Sequence, residues 1–315
     1  MKEFIIDGKT EGQRLDKFLF RLLNNSTNSF VYKMLRKKNI TLNDKKADGK
    51  EVLSSGDTVK LWFSDETFEK FSNKEMDGKD YSIDNNYTLN IIYEDKDVIL
   101  INKPVGVLSQ KADINDISIN ELLIDYLMKK GELKKEDFLI YKPSVVNRLD
   151  RNTSGIIVGA KTLKAAQILS EGFKNRSINK YYKCLVHGTV KEGKNIKGYL
   201  SKENKSNKVY ISDKKEGDES HYIETEYSPI ISKDDLSLLD IHLITGKTHQ
   251  IRAHLSSVGY PLAGDKKYGV KDSFRFQCLH CYKIVFPNYD GILEGISGKE
   301  FYGNLEKPWT SWINS

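Results

Sequence analysis

The chain has few of the features that would place a protein in a membrane or in an oxidising compartment. Only three cysteines occur among its 315 residues, too few for a disulfide framework, so a reducing compartment is indicated. No run approaches the ~18 apolar residues of a membrane span. Residues 1–13 also lack the apolar core of a signal peptide. We therefore expect a cytoplasmic protein with no membrane contact.

A strong surplus of either charge is also absent. Lys and Arg together number 50, Asp and Glu number 44, and the formal net charge is +6. A surplus this small is typical of an ordinary protein surface, and nucleic-acid binding would require the positive charges to be clustered. With 38% hydrophobic residues, the chain is long enough for two domains, or for one large domain with an appendage.

Residues 1–65 have the pattern of a small, separate domain. Apolar residues at helical spacing predict two short helices, and two apolar stretches beside turn residues predict strands at 40–42 and 59–63. The apolar faces of the two helices consist of Leu15, Phe18, Leu19, Leu22 and Leu23, and of Phe30, Val31, Met34 and Leu35.

Basic residues are concentrated in this small domain. They are Arg14, Lys17, Lys33, Arg36, Lys37, Lys38, Lys45 and Lys46. Lys33, Arg36 and Lys37 recur three or four residues apart, so they share one side of the second helix. A charge run of this kind is more often a solvated helix face, but a basic helix pair followed by a hairpin also suits contact with phosphates.

The rest of the chain predicts a linker and a larger domain. Residues 66–88 are polar and aperiodic, as in a linker, and residues 89–315 predict an α+β domain with a mostly antiparallel sheet. The predicted strands are 90–93, 98–101, 156–160, 181–187, 222–227, 236–243 and 279–286. Thr162 should cap one helix, and residues 248–258 should form another that stops at Gly259. The Lys-rich residues 191–220 predict a long hairpin or a mobile insertion.

The most informative stretch surrounds one carboxylate. Asp150 lies between Arg148 and Arg151 and is followed by turn residues and an apolar strand. Flanking cations stabilise the charged form of a carboxylate, which suits a nucleophile or an electrostatic stabiliser better than a general acid. From spacing alone, an Asp that caps a turn and pairs with Arg is the more frequent explanation.

This stretch, Arg148-Leu149-Asp150-Arg151-x-Thr153-Ser154-Gly155, resembles the signature of the RluA-type pseudouridine synthases. Four further matches follow in the order of that family. They cover residues 93–106, 180–188, 246–255 and 264–269. The N-terminal residues 14–19 and 56–59 are similar to an S-four-type RNA-binding domain. Asn147 stands where many relatives have His, and Lys247 where many have Arg.

The resemblance implies roles for individual residues. Asp150 would be the catalytic carboxylate, acting by covalent attack or by removing a ribose proton, and Arg252 would pair with it. Tyr182 would stack on the uracil and serve in proton transfer, and Arg148 would fill the gap left by the flipped nucleotide. The RNA-binding candidates of the small domain are Arg14, Lys17, Lys33, Arg36 and Lys37.

The function implied is isomerisation of uridine to pseudouridine in RNA. The S-four-type domain favours large-subunit ribosomal RNA of the 23S type as the substrate, as for the RluC-like and RluD-like members of this family. A non-catalytic RNA-binding or ribosome-assembly protein is one alternative, and a glycoside or nucleoside hydrolase is another, although no second acid is placed for the latter.

We expect no cofactor, no metal and a monomer. The reaction adds no outside group, so it requires neither a cofactor nor a metal. His249 and His254 lack the spacing of a zinc helix, and Cys278, His280 and Cys281 lie too close together for zinc-finger spacing.

Overall fold

The computed structural model describes residues 1–72, 87–113, 116–134, 137–138, 141–202 and 208–305. Within these ranges the chain forms two β-sheets, each packed against its own hydrophobic core. This is the predicted α+β architecture, with a small N-terminal unit and a larger unit built on one mostly antiparallel sheet. No helix in these ranges has both the length and the apolar surface needed to cross a bilayer.

The small unit is a four-stranded antiparallel sheet packed against helices. Its strands are β1 (Lys2–Ile5), β2 (Ile40–Leu42), β3 (Lys45–Lys46) and β4 (Thr58–Leu61), in the order β1-β4-β2-β3. Its helices are α1 (Leu15–Leu22), α2 (Asn28–Arg36) and α3 (Asp65–Phe71). Helices α1 and α2 and strands β2 and β4 confirm the elements predicted from apolar spacing, because the predicted apolar faces are the ones that form the core.

The first part of the predicted linker, residues 66–88, is structured. Helix α3 covers its first residues, and Phe68 and Phe71 pack against the core of the small unit. The stretch is polar overall, but these two aromatic residues are partly buried, and their packing stabilises a short helix. Residues 73–86 of the predicted linker lie outside the described residues.

The large unit is an eleven-stranded sheet with helices on it. Its strands are β5 (Ile91–Glu94), β6 (Val98–Lys103), β7 (Ser144–Val145), β8 (Ser154–Ala160), β9 (Asn179–His187), β10 (Lys194–Lys202), β11 (Val209–Ser212), β12 (His221–Lys233), β13 (Leu236–Leu243), β14 (Leu279–Val285) and β15 (Glu300–Tyr302). Its helices are α4 (Ile119–Lys129), α5 (Leu163–Lys174), α6 (Gln250–Ser257) and a 3-10 helix (Gly291–Ile296).

The strand order is β11-β10-β12-β13-β9-β14-β8-β6-β5, with β7 paired to β8 and β15 paired to β14. Among the described residues, the pairing of β14 with β8 is parallel and the other pairings are antiparallel. All seven strands predicted for this unit are present. Strands β10 and β11 pair as a hairpin within residues 191–220, which confirms the hairpin rather than the mobile insertion, with residues 203–207 outside the described part.

Of the two helices predicted for the large unit, one begins where it was predicted and the other begins later. Helix α5 starts after Thr162, whose hydroxyl accepts a hydrogen bond from the Ala165 N–H at 3.3 Å, as expected. Helix α6 starts at Gln250 rather than Thr248, because His249 has a left-handed backbone with φ of 57° that interrupts the helical path. Helix α4 was not predicted at all.

Gly155 allows the parallel contact between β8 and β14. Its φ is +112°, and a Cβ atom there would lie 2.3 Å from the backbone oxygen of Cys281. Both the backbone conformation and the close approach therefore require glycine. This contact matters for function because β8 follows directly on the loop that carries Asp150.

We predict that Gly155→Ala destabilises the fold by about 3 kcal/mol, combining backbone strain of about 1–3 kcal/mol with a steric clash of similar size. Gly259→Ala is the matched control. Gly259 also has a positive φ, +88°, but no described heavy atom lies within 4 Å of the position of its Cβ. The loss of folding stability for Gly259→Ala should be about 1 kcal/mol. Denaturant unfolding measures both changes, and equal losses would contradict the importance of the Cys281 contact.

Candidate active site

Asp150 lies in the loop between β7 and β8, and hydrogen bonds on both sides fix this loop. The Ser109 hydroxyl donates to the Leu149 carbonyl at 2.8 Å and accepts from the Leu149 N–H at 3.0 Å. The Thr153 N–H donates to the Asp150 carbonyl at 3.0 Å, and Gln277 donates to the Thr153 hydroxyl at 2.6 Å. The carboxylate is therefore presented by a backbone with little freedom.

A buried lysine ties a second loop to this one. The Lys103 Nζ donates to the carbonyl oxygens of Pro104, Val107 and Arg151, at 2.8, 2.7 and 3.0 Å. The Gly106 N–H donates to the same Arg151 carbonyl at 2.9 Å. The loop after β6 and the loop before β8 therefore hold each other in place beside Asp150.

One guanidinium joins two carboxylates at the centre of the site. Arg252, on α6, donates from Nη1 to Asp150 Oδ2 at 2.6 Å. Its Nε and Nη2 donate to the two oxygens of Asp265 at 2.7 and 2.9 Å, a bidentate pair. The Asp265 side chain is fully buried, whereas that of Asp150 is 27% exposed. Of the two carboxylates, Asp150 is thus the one that a substrate can reach.

The buried carboxylate of Asp265 holds Arg252 in place. Burial alone would raise the pKa of Asp265, but the hydrogen bonds and charge of Arg252 outweigh burial, so the pKa lies below its usual value. The backbone N–H groups of Lys267 and Tyr268 also donate to this carboxylate. A fully ionised Asp265 therefore orients Arg252 towards Asp150.

Tyr182 lies on β9, next to the strands that lead to Asp150. It pairs with Cys281 on β14, which in turn pairs with Gly155 on β8. Its side chain is buried, and burial, followed by Cys281 and the charge of Asp150, raises the pKa of Tyr182 well above its usual value. The hydroxyl therefore keeps its proton until something at the site removes it.

The other residues singled out from the sequence occupy the surface. Arg148 is exposed, two residues before Asp150. In the small unit the five RNA-binding candidates are also exposed: Arg14, Lys17, Lys33, Arg36 and Lys37. Arg14 is engaged within its own unit, because it donates to both oxygens of the buried Asp16, at 3.2 and 2.6 Å. The structure thus brings Asp150 and Arg252 into contact, with Tyr182 on a neighbouring strand.

Three residues at the site were not named as site residues from the sequence: His249, Asp265 and Tyr268. The His249 Nε2 lies 3.8 Å from Asp150 Oδ2, and its Nδ1 lies 3.0 Å from the Tyr268 hydroxyl. The Tyr268 ring centroid lies 5.2 Å from the Arg252 guanidinium carbon. All three residues lie inside the matched stretches 246–255 and 264–269, so those motifs carried the signal.

Two residues that stood out in the sequence have structural roles. Asn147, where many relatives have His, accepts a hydrogen bond from the Val158 N–H at 2.7 Å and donates to the Ile156 carbonyl at 3.3 Å. It therefore anchors the start of the loop to β8. His280 interacts with Ser154 at 2.8 Å and is buried. Across the described residues, no group of three or more His, Cys, Asp or Glu side chains is arranged to hold a metal.

This arrangement has a definite chemical capacity. An ionised carboxylate that an arginine holds in place can attack an electrophilic carbon or accept a proton. A buried, neutral tyrosine beside it can stack on an aromatic ring and exchange a proton. The site therefore suits nucleophilic or acid–base chemistry on a substrate that contains an aromatic ring.

Comparisons with known proteins agree with this chemistry. The model of the RNA pseudouridylate synthase family matches residues 97–257, and that of the S4 domain matches residues 13–59. An RNA pseudouridine synthase of Mycoplasma genitalium is 33% identical, covering 99% of this chain and 98% of its own. Ribosomal large subunit pseudouridine synthase C of Rickettsia felis is 32% identical, covering 96% and 95%.

A solved structure supports the fold. Human RNA pseudouridylate synthase domain containing 4 superposes with a TM-score of 0.57 at 20% identity, over 71% of this chain and 92% of its own. The family model covers about half of the chain, and the Mycoplasma genitalium relative is similar over nearly all of it. Together with the ordered motifs, these matches show that the chain belongs to the RNA pseudouridine synthase family and is an isomerase with an S4 RNA-binding domain.

Proposed function

We propose that this isomerase converts uridines of large-subunit ribosomal RNA to pseudouridine, with Asp150 as its reacting carboxylate. The observation that carries the residue assignment is the pairing of a partly exposed Asp150 with the buried Arg252 at 2.6 Å. Support for the RNA comes from the S4 domain and from the relative named ribosomal large subunit pseudouridine synthase C. A cytoplasmic location belongs to the same proposal, because it depends on this substrate.

The reaction sets the demands on the site. The N1–C1′ bond of uridine breaks, the base turns, and a C5–C1′ bond forms while the C5 proton is lost. The nucleotide must first leave its stack, because its reacting atoms are otherwise covered. Arg148 is an exposed planar cation beside Asp150, and we assign to it the stacking place that the flipped nucleotide vacates.

Asp150 acts on the ribose while the base is detached. Arg252 holds its Oδ2, and in the described part of the chain no hydrogen bond is made to its Oδ1. Oδ1 is therefore the atom that we assign to the ribose, either as a nucleophile at C1′ or as a base. Both routes need an ionised carboxylate.

Tyr182 acts on the uracil. Its ring supplies a stacking surface for the base, and its hydroxyl passes on the C5 proton. Because burial raises the pKa of Tyr182, the phenol starts neutral, so the hydroxyl can take the C5 proton only as it releases its own. Across the whole reaction, the proton lost from C5 is balanced by the one that N1 of the detached base gains.

Mapping pseudouridines in the RNA of cells with and without the gene tests the proposed substrate. We expect the loss of defined pseudouridines in large-subunit ribosomal RNA only, at unchanged RNA mass. Losses confined to transfer RNA or small-subunit RNA would contradict the proposed substrate, and release of free uracil would contradict isomerisation.

We predict that Asp265→Asn slows turnover about tenfold to hundredfold, because the amide replaces one of the two charged acceptors that orient Arg252. RNA affinity should change little, since Asp265 is buried and cannot touch RNA. Single-turnover rates at saturating RNA measure the effect. Asp213→Asn is a control at an exposed carboxylate of the large unit, and it should stay close to wild type.

We predict that Tyr182→Phe slows the proton step but keeps RNA affinity, because the stacking ring survives and only the hydroxyl is lost. The measurement is the rate of tritium release from RNA that contains [5-³H]uridine, together with a binding curve. A weakened affinity with an unchanged release rate would contradict the proposed role.

We predict that replacing Lys33, Arg36 and Lys37 by Ala weakens RNA binding. The slope of the logarithm of the binding constant against the logarithm of the salt concentration should become shallower by about one for each lost phosphate contact. The rate at saturating RNA should persist, because these residues are far from Asp150 in the chain and lie on the small unit. A matched control replaces three exposed lysines of the large unit, Lys174, Lys214 and Lys215. Equal effects of the two triple variants would show that the basic face of α2 is not an RNA contact.

A further inference from the structure

His249 has an unusual position at the start of α6. Its backbone is left-handed, with φ of 57°, a conformation that residues other than glycine adopt rarely. The strained residue places its Nε2 3.8 Å from Asp150 Oδ2 and its Nδ1 3.0 Å from the Tyr268 hydroxyl. The imidazole therefore lies between the reacting carboxylate and a tyrosine, and no role has yet been assigned to it.

A chain of hydrogen bonds favours one tautomer of His249. The Val209 N–H donates to the Tyr268 hydroxyl oxygen at 2.8 Å. The hydroxyl hydrogen of Tyr268 remains available to donate to the Nδ1 of His249, and we take Nδ1 as the acceptor in the proposal below. A neutral imidazole that accepts at Nδ1 carries its own N–H at Nε2, which faces Asp150. The opposite tautomer would direct the Nε2 lone pair at the carboxylate.

The surroundings keep this imidazole neutral. Burial lowers the pKa of His249, Asp150 and Asp265 oppose that shift, and Arg252 and Lys267 add to it. A neutral ring donates one hydrogen bond towards Asp150 without bringing a second positive charge next to Arg252. Hydrogen bonds at catalytic sites are often long before substrate binds and tighten afterwards, so a separation of 3.8 Å leaves a short distance to close.

We propose that His249 is a positioning residue for Asp150: its Nε2–H, directed by Tyr268, holds Oδ2 together with Arg252 and leaves Oδ1 as the reacting oxygen. The inference rests on the proposed function, because it concerns the carboxylate assigned there. Without His249, Arg252 alone would hold Oδ2 through one nitrogen, and the carboxylate could turn about its Cβ–Cγ bond. The two donors together restrict that rotation.

Two substitutions of His249 separate this role from a purely structural one. The amide nitrogen of Gln reaches the place of Nε2 and can donate to Asp150, whereas the shorter Asn reaches only the place of Nδ1. Asn, however, tolerates a left-handed backbone much better than Gln. A structural role therefore predicts that His249→Asn is at least as good as His249→Gln, and the positioning role predicts the reverse.

The experiment measures tritium release in single turnovers, RNA affinity and thermal unfolding for both variants of the full chain. We expect His249→Gln to turn over within about fivefold of wild type and His249→Asn to be slower by about tenfold to hundredfold, at similar affinity. Asn equal to or faster than Gln would overturn the proposal. Wild-type protein that releases no tritium from large-subunit ribosomal RNA would instead contradict the proposed function.

Tyr268→Phe tests the chain of hydrogen bonds. It removes the hydroxyl that selects the tautomer but keeps the ring on Arg252. We expect it to slow the wild-type background severalfold and to have no further effect in the His249→Gln background, because an amide has no tautomer to select. An equal effect in both backgrounds would show that Tyr268 acts by another route and would overturn this part of the inference.

Discussion

The site depends on one guanidinium that two carboxylates share. Burying an arginine is costly unless charged partners surround it, and removing one partner of a buried pair leaves an uncompensated charge. Asp265 provides the buried, bidentate half of the arrangement, and Asp150 provides the partly exposed half. Because Asp265 keeps Arg252 in place, Arg252 can hold the partly exposed Asp150 without being free to move.

The fold assembles this arrangement from segments that are distant in the chain. Asp150 precedes β8, Arg252 lies on α6, and Asp265 follows that helix by a short loop. The parallel pairing of β8 with β14 at Gly155 and Cys281 holds the segment after Asp150 against β14. Strand β14 in turn pairs with β9, the strand that carries Tyr182. Small shifts at such contacts would move the side chains of the site relative to one another. Catalysis by orientation requires these side chains to be placed to within less than an ångström.

Much of this could be predicted from the sequence. Apolar spacing located most strands and the cap at Thr162, because burial and capping are local properties. It did not predict α4, although the apolar residues of α4 follow helical spacing, or α3, which Ser64 caps and whose Phe68 and Phe71 pack on the small core. The motifs at 246–255 and 264–269 contain His249 and Asp265, but the contacts that these residues make could not be predicted, because the sequence does not show which distant residues pack together.

The central claim is that the carboxylate of Asp150 reacts, and Asp150→Asn tests it most directly. The amide keeps the shape of the side chain and leaves the Arg252–Asp265 pair intact, but it can neither attack C1′ nor accept a ribose proton. Single-turnover tritium release from [5-³H]uridine-labelled large-subunit ribosomal RNA should fall by about a thousandfold or more, with RNA affinity unchanged. A variant that turns over within about tenfold of wild type would contradict the account.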